Sequence, residues 1–452
     1  MLSAYALADK IKGRVISSDD ADYDKARSVF SGSIDRRPAL IARPLDADDV
    51  ARVIALAREG GLELAVRGGG HSPAGHGTSD GGIVLDLSDM NGLQVDIAGR
   101  TAWADGGVTA GQYTTAVGEH GLATGFGDTG SVGVGGIALA GGVGFLARKH
   151  GLTIDDVLAA EVVTADGELV RTDAEQHPDL FWAIRGGGGN FGVVTRIKFR
   201  LHEVGTIVGG MLILPATPEV IAGWLAEAQA APEELSTIAN VMTAPPLPFL
   251  PPEAHGKRVV MGLMAYAGDV EAGMRVVDRF RALATPIADM MRPMEYPELY
   301  PPEDSEYRPL SIGRTLFVKG VDETAAATIV ERIEASAAMA PVTQLRALGG
   351  AVARVPAAAT AFAHRQRPIM ANVAALYQNP SEAAEHTAWV EGLAAELRDG
   401  DDGAYVGFLA DEGEERVRAA YPGATWDRLA AVKATYDPDN VFRLNQNITP
   451  GS

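Results

Sequence analysis

Short apolar runs and polar turns alternate through the first two hundred residues, and their spacing predicts the elements in turn. Residues 48–60 carry apolar side chains at helical spacing and end on Gly60, which predicts a capped helix. Strand-like runs follow at Leu62–Val66, Ile83–Leu87, Leu93–Ile97 and Thr101–Ala104, separated by turn residues such as Gly81-Gly82 and Asn91-Gly92. Residues 109–120 read as helix, and a glycine-dense stretch covers Gly125 to Gly151. Glu161–Ala165 and Glu168–Arg171 flank Asp166-Gly167, a hairpin signal. Asp179–Arg185 reads as a short helix and Gly192–Leu201 as a long strand, so this region is α+β with many short strands.

After about residue 204 the pattern changes. The β-rich runs Thr206–Leu214, Arg258–Tyr266, Pro341–Leu348 and Ile369–Tyr377 alternate with alanine-rich helices near 217–231, 269–285, 322–338 and 381–398. That alternation predicts a second α+β unit, an antiparallel sheet backed by helices. Proline-rich stretches at 244–252 and near 297–302 predict surface loops that rim a pocket. A last segment, Tyr421 to Ile448, holds a helix over Thr425–Tyr436 stopped by Asp437-Pro438-Asp439-Asn440. The divisions expected are 1–203, 204–405 and 406–452.

Composition narrows the function classes. A chain of 452 residues accommodates about two to three domains. Its 53 glycines cluster between 60 and 192, as where a backbone wraps a large ligand. A net charge of −20 argues against nucleic acid and anionic membranes as partners. With no cysteine, thiolate nucleophiles, disulfides, iron–sulfur clusters and Cys-based zinc sites are excluded. Met1–Lys10 lacks the pattern of a signal peptide, and Val132–Ala147 is too short and glycine-rich to span a bilayer, so a cytoplasmic location is expected.

Chemistry concentrates in Val66-Arg67-Gly68-Gly69-Gly70-His71-Ser72, where a strand runs into three glycines and a histidine. Bare backbone N–H groups and free φ suit a phosphate cradle, with Arg67 to Gly70 around a pyrophosphate and His71 delivered to the edge of the nucleotide. Gly187-x-Gly189-x-x-Gly192 matches a dinucleotide fingerprint but follows a helix and precedes a strand, the reverse of a Rossmann turn. His71 and His76 are not spaced for a metal, so none is expected. Asp155-Asp156 reads as a helix cap and Asp437–Asn440 as a turn. Tyr377, Tyr405 and Tyr436 read as core residues with the hydroxyl at the rim.

Taken together, Arg67–Ser72, Gly82–Leu87, Met90–Gly92, Val132–Gly136, Gly141–Phe145, Lys149–Leu152, Glu161–Gly167, Pro178–Gly186, Asn190–Thr195, Arg428–Lys433, Tyr436–Phe442 and Asn445-Gln446-x-Ile448 resemble the berberine bridge enzyme-like branch of the vanillyl-alcohol oxidase superfamily. The resemblance covers about 170 residues in family order and implies an α+β fold: a two-subdomain PCMH-type FAD-binding domain, a substrate domain whose antiparallel sheet roofs the flavin, and a C-terminal return to the FAD domain. It implies an FAD-dependent oxidase, acting on a small molecule and O2 as a monomer or homodimer. A dehydrogenase with another acceptor, or a flavin-loaded binding protein without turnover, is the alternative. The FAD is expected on His71 alone, because many members add a cysteine where this chain has Thr129. The implied cofactor residues are Arg67, Gly68, Gly69, Gly70, His71, Ser72, Thr129, Val132, Gly133, Gly135, Gly136, Gly141, Gly142, Gly144, Phe145, Gly192, Val193, Val194, Asn445 and Gln446, with Val132 governing oxygen access. The family's base positions hold Gly407 and Phe408 here, which leaves Tyr377 and Tyr405 as candidates.

Overall fold

Burial on both faces shapes the first sheet. The structure is a computed structural model describing residues 7–304, 306–400 and 402–451; the signal-peptide reading at Met1–Ala6 lies outside them. β1 (Arg14–Ile16), β2 (Leu40–Arg43), β3 (Leu64–Arg67) and β4 (Ile83–Asp86) pair in the order β1–β2–β4–β3. β2, β4 and β3 run parallel. All four side chains of β4 are buried, the continuous run a two-sided parallel strand needs. Helix α1 (Ala47–Glu59) covers this sheet with Val50, Val53, Ile54 and Ala57. Its cap is Asp46, whose carboxylate accepts from the Asp49 N–H.

Arg67 closes β3 and turns inward. Its guanidinium donates to Asp86 at 2.9 Å, and Arg43 donates to the same carboxylate at 2.9 Å. Burial alone would push the Asp86 carboxyl up, but the two guanidiniums hold it below the usual range. A carboxyl lowered on folding stabilises the protein above its unfolded pKa, and that contribution disappears as pH falls through the folded value. Asp86→Asn is therefore expected to cost about 3–5 kcal/mol in urea unfolding at neutral pH. The gap to wild type should shrink below about pH 4; an equal gap at every pH would refute the pairing argument.

The second sheet is antiparallel. β5 (Leu93–Asp96), β6 (Thr101–Asp105), β7 (Val157–Val163), β8 (Leu169–Asp173) and β9 (Val193–Arg200) lie in the order β5–β6–β9–β7–β8. The β7–β8 hairpin turns through Asp166-Gly167, with Gly167 at φ +86°. Helices α2 (Ala110–Gly118), α3 (Val134–Ala140) and α4 (Pro178–Ile184) pack into one core with Phe126, Phe191 and Phe199. The Gly187–Gly192 turn joins α4 to β9, the helix-then-strand order expected. Asp155 does cap, accepting from the Leu152 N–H, and it also binds both terminal nitrogens of Arg365. Asp156 is instead buried against His202.

The third sheet contains β10 (Ile207–Pro215), β11 (Leu235–Thr243), β12 (Arg258–Tyr266), β13 (Leu310–Val318), β14 (Ala340–Ala347) and β15 (Ile369–Tyr377). Their order is β10–β12–β11–β14–β15–β13, all antiparallel, with two short strands at 288–289 and 292–294 added to β10. β11 and β13 go beyond the sequence expectation of four strands. Helices α5 (Pro218–Ala230), α6 (Val270–Arg281), α7 (Glu323–Glu334) and α8 (Ala383–Leu397) back one face through Leu212, Val241, Leu316, Leu345 and Val373.

The last helix, α9 (Ala424–Tyr436), returns to the second sheet, where Trp426, Leu429 and Ile448 join its core. Asn190 fastens the tail by donating to the Gln446 carbonyl at 3.1 Å and accepting from the Ile448 N–H at 3.0 Å. No helix among the described residues is long and apolar enough to cross a membrane.

Candidate active site

Ligands of α/β sheets bind beyond the carboxyl ends of parallel strands. Here β3 leaves the sheet at Arg67 and continues as Gly68-Gly69-Gly70-His71-Ser72. A methyl group on Gly69 would lie 2.2 Å from the Gly133 nitrogen, and one on Gly133 would lie 2.4 Å from the Gly69 nitrogen. Two backbones thus meet where no side chain fits. Gly70 sits at φ +72° and bends the chain toward His71. Gly133 opens α3 with no side-chain cap, and at Gly136 a methyl would meet nothing within 4 Å. Close backbone approach and adjacent open space are what a nucleotide-binding segment needs. The residues present fit FAD.

The His71 ring stacks on Phe30 at 4.3 Å between centroids. Its Nε2 lies 3.0 Å from Ser131 Oγ, which in turn donates to the Glu303 carboxylate. Burial lowers the pKa of the imidazole; Glu303 opposes that and Arg308 adds to it. Glu303 follows the proline-rich loop near 297–302, which the structure does place beside the site; Tyr300 in that loop donates to the Gly127 carbonyl at 3.0 Å. The other proline-rich loop packs Leu247 and Leu250 against Met242 and Met261 of the third sheet.

The remaining cofactor candidates divide by role. Gly141 and Gly142 lie at φ +147° and +78°. They are buttressed by Tyr405, whose phenol oxygen accepts from the Gly142 N–H at 2.9 Å. Gly144 faces the Phe126 carbonyl, Phe145 is buried beside Tyr300, and Gly192 turns at φ +154° into β9. Val193 and Val194 point into cores on opposite sides of the strand. Gln446 donates to the Leu409 carbonyl at 2.6 Å, and Asn445 approaches Gly189. Ser72, Thr129 and Val132 are half-buried around the same segments, and Gly135 fits against the Gly106 carbonyl. The Arg67 side chain stands apart: it is committed to Asp86 and to the carbonyls of Ala26 and Ser28, not turned toward a pyrophosphate.

The inner face of the third sheet roofs this region. Strand register aligns Leu263, Ile238, Arg346, Met370 and Phe317 in one row, which seals against Phe145, Leu146 and Val143. The next row is Met261, Asn240, Gln344, Asn372 and Thr315. In it the three amides are half-buried. Gln344 donates to Asn240 at 3.0 Å, and Arg346 donates to Gln344 at 2.9 Å and to Asp128 at 2.8 Å. One hydrogen-bonded line therefore ties the roof to the glycine-rich floor.

The two tyrosine candidates are not brought to that row. Tyr377 falls on the opposite parity of β15 and packs against His386 of α8. Tyr405 is buried under Gly142, and burial pushes its phenol up to about 12. Sequence reasoning passed over Phe30, Asn240, Gln344, Arg346 and the Ser131–Glu303 pair. The one available signal was position: Ser131 precedes Val132, and Glu303 follows Pro301-Pro302.

Comparison with known proteins identifies the family and the fold. Residues 38–173 match the family model described as FAD binding domain, and residues 404–449 match the one described as Berberine and berberine like. The chain is 34% identical to (R)-6-hydroxynicotine oxidase of Paenarthrobacter nicotinovorans, across 100% of this chain and 99% of that protein. The crystal structure of 6-hydroxy-D-nicotine oxidase from Arthrobacter nicotinovorans covers 98% of both chains at a TM-score of 0.86 and 29% identity. Glucooligosaccharide oxidase from Acremonium strictum, with a 6-S-cysteinyl, 8α-N1-histidyl FAD, shares the fold at a TM-score of 0.87 and 23% identity over the full length of both chains.

Proposed function

This chain belongs to the FAD-linked oxidoreductases of the berberine-like family, and from that membership we propose that it is an oxidase of small molecules whose FAD is anchored through His71 alone. Bound FAD supplies the redox chemistry, taking a hydride from a substrate C–H beside an amine or hydroxyl and passing the electrons to O2 to give hydrogen peroxide. What supports this reading is the close meeting of the 68–70 and 132–134 backbones beside His71. Segments 68–72, 132–136, 141–145, 192–194 and 445–446 hold the cofactor, and the domain limits 203/204 and 405/406 go with this assignment. A chain without cysteine cannot form a cysteinyl bond, so His71 is the sole anchor.

Asn240, Gln344 and Asn372 offer neutral donors and acceptors, suited to orienting a polar uncharged group. Orientation of this kind, beside the packed Ile238–Phe317 row, is the protein's contribution to rate. With Tyr377 turned to the helices and Tyr405 locked under Gly142, neither of these two phenols is placed to serve as base. A neutral amine, which releases hydride without prior deprotonation, fits that arrangement best.

Two measurements test the reading. In anaerobic mixing with a panel of amines, alcohols and oligosaccharides, one amine should bleach the flavin, and admitted O2 should restore the colour with one peroxide per turnover. Bleaching with only slow recovery in air would identify a dehydrogenase, and no bleaching by any compound would defeat the turnover assignment. Separately, acid-denatured wild-type protein should keep its flavin fluorescence and His71→Ala should lose it entirely.

A further inference from the structure

Glu303, Ser131 and His71 form a line whose proton positions are fixed by chemistry. Ser131 Oγ has one hydrogen, and a carboxylate only accepts, so that hydrogen belongs to the bond with Glu303. The serine oxygen can then only accept from His71, 3.0 Å away. Nε2 is accordingly the nitrogen that carries the ring hydrogen, and Nδ1 keeps the lone pair. The carboxylate is itself clamped, accepting from the N–H groups of Gly130 at 2.6 Å and Ser131 at 3.3 Å. Phe30 fixes the plane of the imidazole from the side. These are the partners of a catalytic triad in a different order, with the serine as the relay and the histidine as the nucleophile.

The geometry points to Ser131 and Glu303 as positioning residues for attachment of the flavin, presenting Nδ1 of His71 for coupling and drawing the Nε2 proton through the serine hydroxyl to the carboxylate. The inference rests on His71 being the anchor. In the coupling, a bond forms between Nδ1 and the flavin 8α carbon, and one C–H bond of the 8α methyl breaks, its proton passing to solvent. Alkylated at Nδ1, the imidazole carries a positive charge until Nε2 gives its hydrogen to Ser131 as Ser131 gives its own to Glu303. The electron pair of the broken C–H bond is left on the flavin and removed by dioxygen, which leaves with two protons as hydrogen peroxide. Burial, which lowers the pKa of the ring, works in the same direction by favouring the uncharged form and its lone pair.

The test follows coupling, not turnover. Flavin-free full-length chain is mixed with FAD in air, and the covalent fraction is read from the fluorescence of acid-precipitated, washed protein, with FAD affinity titrated in parallel. Ser131→Ala and Glu303→Gln are expected to bind FAD with near wild-type affinity and to couple at least about a hundredfold more slowly. Ser131→Thr, which keeps the hydroxyl, should couple at close to the wild-type rate, a rescue that a purely steric role for the side chain does not give. Hydrolysis of the wild-type adduct should yield the Nδ1-linked histidyl flavin. If Glu303→Gln loses its backbone clamp and fails to bind FAD, the Ser131 pair decides the comparison. Wild-type coupling rates in Ser131→Ala, or an Nε2 linkage, overturn the relay while leaving the anchor in place. A wild-type chain that holds FAD only dissociably removes the anchor and the relay together.

Discussion

Gly133→Ala is expected to give a colourless and less stable protein. The backbone at Gly133, φ −69° and ψ 130°, is ordinary for alanine, so conformational freedom is not what the site requires. What it requires is room, since the new methyl would lie 2.4 Å from the Gly69 nitrogen and 3.1 Å from its Cα. A side chain could rotate away from such a contact, but backbone cannot, so the 68–70 and 132–134 segments must part. Overpacking of this kind costs about 1–3 kcal/mol, and it separates the surfaces assigned to the cofactor. Visible flavin absorbance per chain should fall close to zero and the melting temperature should drop. Gly136→Ala supplies the contrast on the same helix, where the methyl enters open space. In the flavin-free protein it should hold or gain up to about 1 kcal/mol of stability, and a comparable loss there would defeat the steric explanation.

Lys433→Met should rank with Asp86→Asn among the most destabilising single changes. Lys433 and Asp437, one turn apart at the end of α9, are both fully buried and 2.6 Å apart. The ammonium also donates to the carbonyls of Asn190 at 2.7 Å and Phe442 at 3.3 Å. Asp437 accepts in addition from the N–H groups of Val441 at 2.8 Å and Phe442 at 2.9 Å, so it organises the tail. Removing one partner leaves the other charge buried, a loss of about 3–5 kcal/mol. Urea unfolding should show that loss, and limited proteolysis should cut first between 437 and 451. A Lys433→Met/Asp437→Asn pair is expected to recover part of it; a double variant no better than the sum of the singles would refute the coupling.

The sequence made the sheets visible wherever strands are apolar on both faces. Arg258–Tyr266 and Ile369–Tyr377 stand out for that reason. β11 and β13 do not, because their polar residues answer to distant partners. Asn240 receives Gln344 from a strand a hundred residues later, and Arg314 reaches Glu391 on α8. The same limit applies to the site. The glycine cradle and His71 are contiguous and legible, whereas the Arg67–Asp86 pair, Glu303 at Ser131 and the helix-facing parity of Tyr377 exist only once register is set.

Alternation along β15 has an evolutionary consequence. From Ala371 onward its odd-numbered residues are buried against helices and its even-numbered ones are half-exposed. Asn372 can therefore be exchanged without disturbing Val373 or Leu345, which support the core, whereas Gln344 also accepts from the buried Arg346. On the proposed assignment of the amide row to the substrate, a library randomised at 240 and 372 should contain mostly folded, yellow proteins with diverging appetites. Diet and durability would then sit on opposite sides of one ribbon, letting a lineage change the first without gambling the second.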